Sequence, residues 1–112
     1  MDDELVAWGR VALVETTGRT TGRVARAAVG YVEEPDGSLL VAAGDPGAAW
    51  AQNLLADPRC VVTIGDDRTA RRAVELDDGE RSQAVAALIL RYGTPAERLG
   101  RGPAFRLVRD PG

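Results

Sequence analysis

The chain is predicted to be a mainly β, α+β domain: six mostly antiparallel strands curled into a barrel, with two or three flanking helices. Three observations carry this expectation. Three strand-like runs arrive before any helix, so a doubly wound parallel sheet fits badly. Turn signals rather than helices separate two of the consecutive strand pairs, at Pro35-Asp36-Gly37 and Gly65-Asp66-Asp67. The length of 112 residues, 45% apolar and 28% charged, suits one globular domain over residues 1–112 with a modest core.

The elements follow in order. Residues 1–9 are acidic and read as a short helix or a frayed end. Arg10 to Thr17 is rich in β-formers and reads as the first strand. The polar loop Gly18-Arg19-Thr20-Thr21-Gly22-Arg23 follows, and Arg26 to Glu33 reads as the second strand. Ser38 to Gly44 is the third, forming a hairpin with the second. Asp45 and Pro46 have the chemistry of a helix N-cap and first helical residue. Trp50, Leu54 and Leu55 give that helix an apolar stripe, and Asp57-Pro58 ends it. Arg59 to Ile64 and Arg68 to Leu76 are the next two strands, the latter polar on one face through Arg68, Arg71 and Glu75. Asp77 or Asp78 caps a second helix whose Val85, Leu88, Ile89 and Tyr92 recur at helical spacing. Gly93 and Pro95 stop it, residues 94–103 form a loop, and Ala104 to Arg109 is the last strand.

Composition excludes several functions. The net charge is −3, against the basic surplus of a nucleic-acid binder. The absence of His removes Ser-His-Asp and Cys-His nucleophile systems and His-based metal sites, so no metal is expected. A single cysteine, Cys60, permits no intramolecular disulfide and sits in an apolar run as a buried, inert thiol. The first residues lack the basic-then-apolar pattern of a signal peptide, and no apolar run reaches the ~20 residues of a membrane helix. A cytoplasmic protein with no membrane partner is expected.

All 14 basic residues are Arg, a side chain suited to phosphate and carboxylate, although codon usage in a GC-rich genome, alongside the many Ala, Gly and Val residues, is the plainer explanation of the bias. Three segments carry candidate chemistry. The loop Gly18–Arg23 combines two glycines with Thr16, Thr17, Thr20 and Thr21 hydroxyls and the cations Arg19, Arg23 and Arg26. Such a set cradles an anion, or it is a solvated turn. Trp50 and Asn53 share a helix face, where they suit a ring ligand or a core tryptophan beside a solvated amide. The strand end Ala42-Ala43-Gly44 is smooth enough for a flat ring or for tight packing. Tyr92 offers a hydroxyl to a substrate or packs on the core, and Arg98 and Arg101 read as solvated.

Leu13 to Arg23, with Thr16-Thr17-Gly18-Arg19-Thr20-Thr21-Gly22-Arg23 at its centre, resembles the opening motif of the deazaflavin-dependent nitroreductases. Trp50-Ala51-Gln52-Asn53-Leu54 with Asp57-Pro58, and Pro103-Ala104-Phe105-Arg106-Leu107, resemble the family's later segments. Together they run in order from about residue 11 to 109. The resemblance implies a split β-barrel binding coenzyme F420, with FMN the less favoured cofactor, and hydride transfer to a nitro group, activated alkene or similar small-molecule acceptor. It implies that Thr17, Gly18, Arg19, Thr20, Thr21, Gly22, Arg23 and Arg26 hold the anionic tail. Ala43, Gly44, Trp50 and Asn53 would flank the ring, and Tyr92 would contact substrate. Analogy adds a homodimer. The chain departs from the pattern where Thr20 replaces a basic residue, Val24-Ala25 replaces Pro-Arg, and Ala51 replaces Tyr. Asp45 also places a carboxylate near the expected tail, and Arg26 stands where it replaces a lost charge. An alternative on the same fold is a cofactor-free binding or accessory protein.

Overall fold

The computed structural model describes residues 11–93 and 101–110. The readings on residues 1–9, Arg10, Pro95 and Arg98 fall outside them. Seven strands form one antiparallel sheet: β1 (Ala12–Thr17), β2 (Val24–Val29), β3 (Val32–Glu33), β4 (Leu39–Ala42), β5 (Arg59–Ile64), β6 (Asp67–Glu75) and β7 (Ala104–Arg109). Helix α1 (Ala49–Ala56) joins β4 to β5, and α2 (Asp78–Tyr92) lies between β6 and β7. The order across the sheet is β2-β1-β5-β6-β7-β4-β3.

That order forces the sheet to curl. Strands β2 and β3 are its opposite edges, yet only Gly30 and Tyr31 separate them in the chain. Three Cα steps span at most about 11 Å. A flat sheet of this width would hold its edges about 29 Å apart. The sheet therefore rolls until the edges meet at a seam.

The run expected as one strand over Arg26–Glu33 is accordingly two, which raises the count from six to seven. β2 pairs with β1 (Ala12 opposite Val29, Thr17 opposite Val24), while β3 pairs with β4 (Val32 opposite Leu40). The anticipated hairpin survives only in the short β3–β4 pair. The first helix is also shorter than expected. Asp45 accepts from the Gly47 amide at 2.9 Å in a local turn, so the N-cap falls at Ala48 rather than Asp45. On β6, Arg71 is buried while Arg68 and Glu75 are exposed, so these three do not share one polar face.

Alternation along β1 turns Ala12, Val14 and Thr16 inward. The register carries this parity round the barrel through Val62, Cys60, Leu107, Leu39 and Val41. These residues form the inner core with Phe105, and Ala51 and Leu54 of α1 plug it. A fully buried Leu or Phe contributes about 1.5–3 kcal/mol. A second core, Ala42, Leu76, Ala84, Leu88 and Ala104, lies between α2 and the sheet's outer face.

Helix α2 starts as its sequence dictates. The Asp77 carboxylate accepts from the Glu80 amide at 2.8 Å, and the Glu80 side chain accepts from the Asp77 amide, a reciprocal capping box. Arg106 on β7 bridges Glu34 at 2.7 Å and Glu80 at 3.2 Å, tying the helix to the sheet. At the other end Tyr92 closes the seam. Its hydroxyl accepts from the Tyr31 amide at 3.1 Å and donates to the Tyr31 carbonyl at 3.2 Å. Its ring lies on Gly30, and the Arg91 guanidinium sits 4.6 Å from the Tyr31 ring centroid and 5.3 Å from that of Tyr92.

Candidate functional site

The loop between β1 and β2 is a closed hairpin. The Gly18 amide donates to the Arg23 carbonyl at 2.7 Å, and the Gly22 amide donates to the Gly18 carbonyl at 2.8 Å. Gly22 has φ +73°, a conformation that admits glycine readily and other residues at a cost. The Thr21 hydroxyl accepts from the Arg23 amide at 3.2 Å. Thr17, Thr20, Thr21 and Arg23 are exposed. Among the described residues, Arg23 makes no ion pair.

This loop is latched to α1. Asn53, 2% exposed, accepts from the Arg19 amide at 3.2 Å and from Arg19 Nη1 at 2.9 Å, both at Oδ1. Its Nδ2 donates to Thr16 Oγ1 at 3.0 Å. Arg19 Nη1 also reaches the Ala49 carbonyl at 3.5 Å, in the first turn of α1. The rest of the Arg19 guanidinium, Nε and Nη2, has no partner among the described residues.

The other candidates lie at varying remove. Trp50, on α1, is half-buried, its ring centroid 6.0 Å from that of Phe105. Ala43 is buried and its amide donates to the Pro103 carbonyl at 2.9 Å. Gly102 covers it closely: a Cβ there would fall 2.6 Å from the Ala43 carbonyl oxygen. Gly44 stays partly exposed, and Arg101 is exposed. Arg26 stands on β2 with its guanidinium 3.3 Å from Glu15, which Arg68 shares at 3.3 Å, so its charge is already partnered. Tyr92 belongs to the seam. Gly30 lies six residues along the chain from the loop end of β2, about 20 Å if extended. The structure thus unites Gly18–Arg23 with Asn53 and keeps Tyr92 away from them.

A groove of about 390 Å³ continues from the loop past Thr17 and Val24 to Arg59, Arg68 and Arg71. Arg71 is 3% exposed and, among the described residues, makes no ion pair with a carboxylate. Its Nη1 donates to the Gly37 carbonyl at 2.8 Å and the Leu107 carbonyl at 3.1 Å, and its Nε donates to Thr69 Oγ1 at 3.0 Å. Burial and the nearby Arg109 lower its pKa from the usual arginine value. Burial likewise pushes the Cys60 thiol up to about 11, so it is neutral at physiological pH. No cluster of metal-ligating residues occurs among the described residues. None of their helices is long and apolar enough to cross a membrane.

The sequence groups Thr16 with the loop's hydroxyls and offers Asn53 either a ring ligand or solvent; neither reading places Asn53 as a buried link between Thr16 and Arg19. The alternation of Ala12, Val14 and Thr16 was the available signal that Thr16 points inward, where an inward polar residue needs a partner.

Comparison with known proteins adds the lineage. Residues 4–98 match the model of the family described as F420H(2)-dependent quinone reductase. The chain is similar to the solved structure of an F420-H2 dependent reductase, FDR-A, with 27% identity and a TM-score of 0.72, covering 88% of this chain and 93% of that one. It is similar to a protein solved as a domain-swapped dimer, with 26% identity and a TM-score of 0.72, covering 94% and 92%. HutZ, a heme storage protein from Vibrio cholerae, shares the fold at 20% identity and a TM-score of 0.76, covering 98% and 88%. A search of curated proteins found no match.

Proposed function

The chain belongs to the F420H2-dependent quinone reductase family, and from that premise we propose that it is an oxidoreductase that uses reduced coenzyme F420 to reduce a small organic acceptor. The observation that carries this reading is the Gly18–Arg23 loop with its latched Arg19. F420 is a deazaflavin with an anionic phosphate and oligoglutamate tail, and the donor set suits such a group. Arg19 keeps Nε and Nη2 available, Arg23 is free of ion pairs among the described residues, and the Thr20 and Thr21 hydroxyls are exposed beside them. Guanidinium, hydroxyl and backbone amide are together the usual partners of phosphate and carboxylate.

In this reading Arg19, Thr20, Thr21 and Arg23 hold the tail, with Thr17, Gly18 and Gly22 shaping the loop. Trp50 and Gly44 are the ring contacts with exposed surface, while buried Ala43 contributes its backbone position. When bound, the reduced deazaflavin supplies a hydride, and the protein supplies orientation and electrostatics. The acceptor is a quinone, activated alkene or nitro group. Arg26, already paired with Glu15, contributes at long range, and Tyr92 has its hydroxyl committed to the seam. The domain-swapped relative supports a homodimer, which light scattering after gel filtration tests directly.

Fluorescence titration with oxidised F420, then FMN, tests the cofactor. Micromolar or tighter F420 binding with little FMN binding is expected. Arg19→Ala should weaken F420 binding at least about tenfold, the loss of one charge-assisted contact, with the circular dichroism spectrum unchanged. Equal affinity in wild type and variant would remove Arg19 from the site.

A further inference from the structure

The placement of Asn53 reaches beyond the ring contact implied by the family resemblance. A side chain 2% exposed presents little surface to a ligand, and both ends of its amide are occupied. Oδ1 accepts twice from Arg19, and Nδ2 donates to Thr16. Thr16 is itself fixed inside the barrel, opposite Cys60. A chain of contacts therefore runs from a rigid strand through a buried amide to an exposed guanidinium.

The atom of Arg19 that Asn53 holds decides what remains. Nη1 is taken by Asn53 and approached by the Ala49 carbonyl. Nε and Nη2 form the opposite edge of the guanidinium, and that edge presents two parallel N–H donors to a phosphate or carboxylate. An arginine on a loop otherwise samples many rotamers, and ordering it on binding costs affinity. Holding Nη1 and the Arg19 amide on one oxygen orders the loop and the side chain beforehand.

We propose that Asn53 is a positioning residue: it orients Arg19 so that the Nε/Nη2 edge faces an oxyanion of the ligand, and it does not touch the ligand itself. The proposal rests on the cofactor reading above for the identity of that oxyanion.

A double-mutant cycle on F420 affinity tests it, with Arg19→Ala, Asn53→Leu and the double variant. If Asn53 acts only through Arg19, each single change costs about tenfold and the double costs no more than about twofold beyond either. Additive losses would overturn the proposal. Arg19→Lys separates orientation from charge and keeps the test available should Asn53→Leu not fold. Lysine has no two-donor edge, so its affinity should fall near that of Arg19→Ala, and retention of wild-type affinity would overturn the proposal. Hydrogen exchange of the Arg19 amide gives a readout without ligand. The amide should be protected in wild type and in Asn53→Asp, which keeps the acceptor, and exposed in Asn53→Leu. Equal exchange in all three would overturn the latch. If wild type binds no F420, the cofactor reading falls separately, and calorimetric titration with inorganic pyrophosphate decides the proposal. Binding lost on Arg19→Ala and Asn53→Leu sustains it, and no binding overturns it.

Discussion

Replacing Tyr92 with Phe removes one oxygen and leaves the ring on Gly30 and beneath Arg91. The hydroxyl accepts from the Tyr31 amide at 3.1 Å and donates to the Tyr31 carbonyl at 3.2 Å. Each is worth about 1 kcal/mol net, and the 3.2 Å bond is long for an O–H donor, so the pair should contribute about 1–2 kcal/mol. For 112 residues the unfolding entropy is about 0.24 kcal/mol/K, which converts that loss to a Tm lower by about 4–8 °C. Scanning calorimetry on Tyr92→Phe measures this directly. Because the seam sits at the far end of β2 from the loop, F420 affinity and turnover should stay within about twofold of wild type. An unchanged Tm with turnover down by about tenfold or more would refute the argument and make Tyr92 a catalytic residue after all.

Other perturbations separate the remaining claims. Asp77→Ala removes the carboxylate that accepts from the Glu80 amide and should cost about 1 kcal/mol, seen as a lower urea midpoint with unchanged slope. Gly102→Ala drives a Cβ to 2.6 Å from the Ala43 carbonyl oxygen, a contact with backbone that cannot swing away, and should cost about 1–3 kcal/mol by thermal melting. Burial favours the neutral thiol of Cys60, so its contribution to stability is complete below pH 9.0 and is lost as pH rises towards about 11. Iodoacetamide should therefore label Cys60 slowly in the native protein at pH 7.5 and promptly in urea. Prompt native labelling would contradict the burial.

The parts of the fold legible in the sequence are those governed by neighbours in the chain. Asp77 and Glu80 stand at capping-box spacing, Gly93 follows the last turn, and α2 begins and ends where those residues place it. The split of the second strand is a long-range event. Gly30 is a local cue for a break, but only the pairing of Val32 with Leu40 sends the chain to the opposite edge of the sheet. Asp45-Pro46 carries a helix-start signal, and the Asp45 side chain satisfies it one turn early by accepting from Gly47. Arg71 looks like a surface residue because charge argues for exposure. Its register opposite Cys60 turns it inward, where carbonyls of Gly37 and Leu107 receive it. The site divides in the same way. The Thr, Gly and Arg content of the loop is visible in the sequence, whereas the bond from Arg19 to Asn53, 34 residues away, exists only once α1 closes the barrel.

The position of β7 has a consequence for how the chain acquires its structure. This last strand lies between β6 and β4 and is the only described link in the sheet between β2-β1-β5-β6 and β4-β3. While the chain is still being synthesised, the two pieces have exposed edges and no strand in common, and the inner core lacks Phe105 and Leu107. The sheet therefore cannot become continuous until β7 has emerged, and the long-range pairings of β7 come late in the chain. A nascent chain stalled before Ala104 would carry four unsatisfied strand edges, the state in which this protein is most exposed to aggregation.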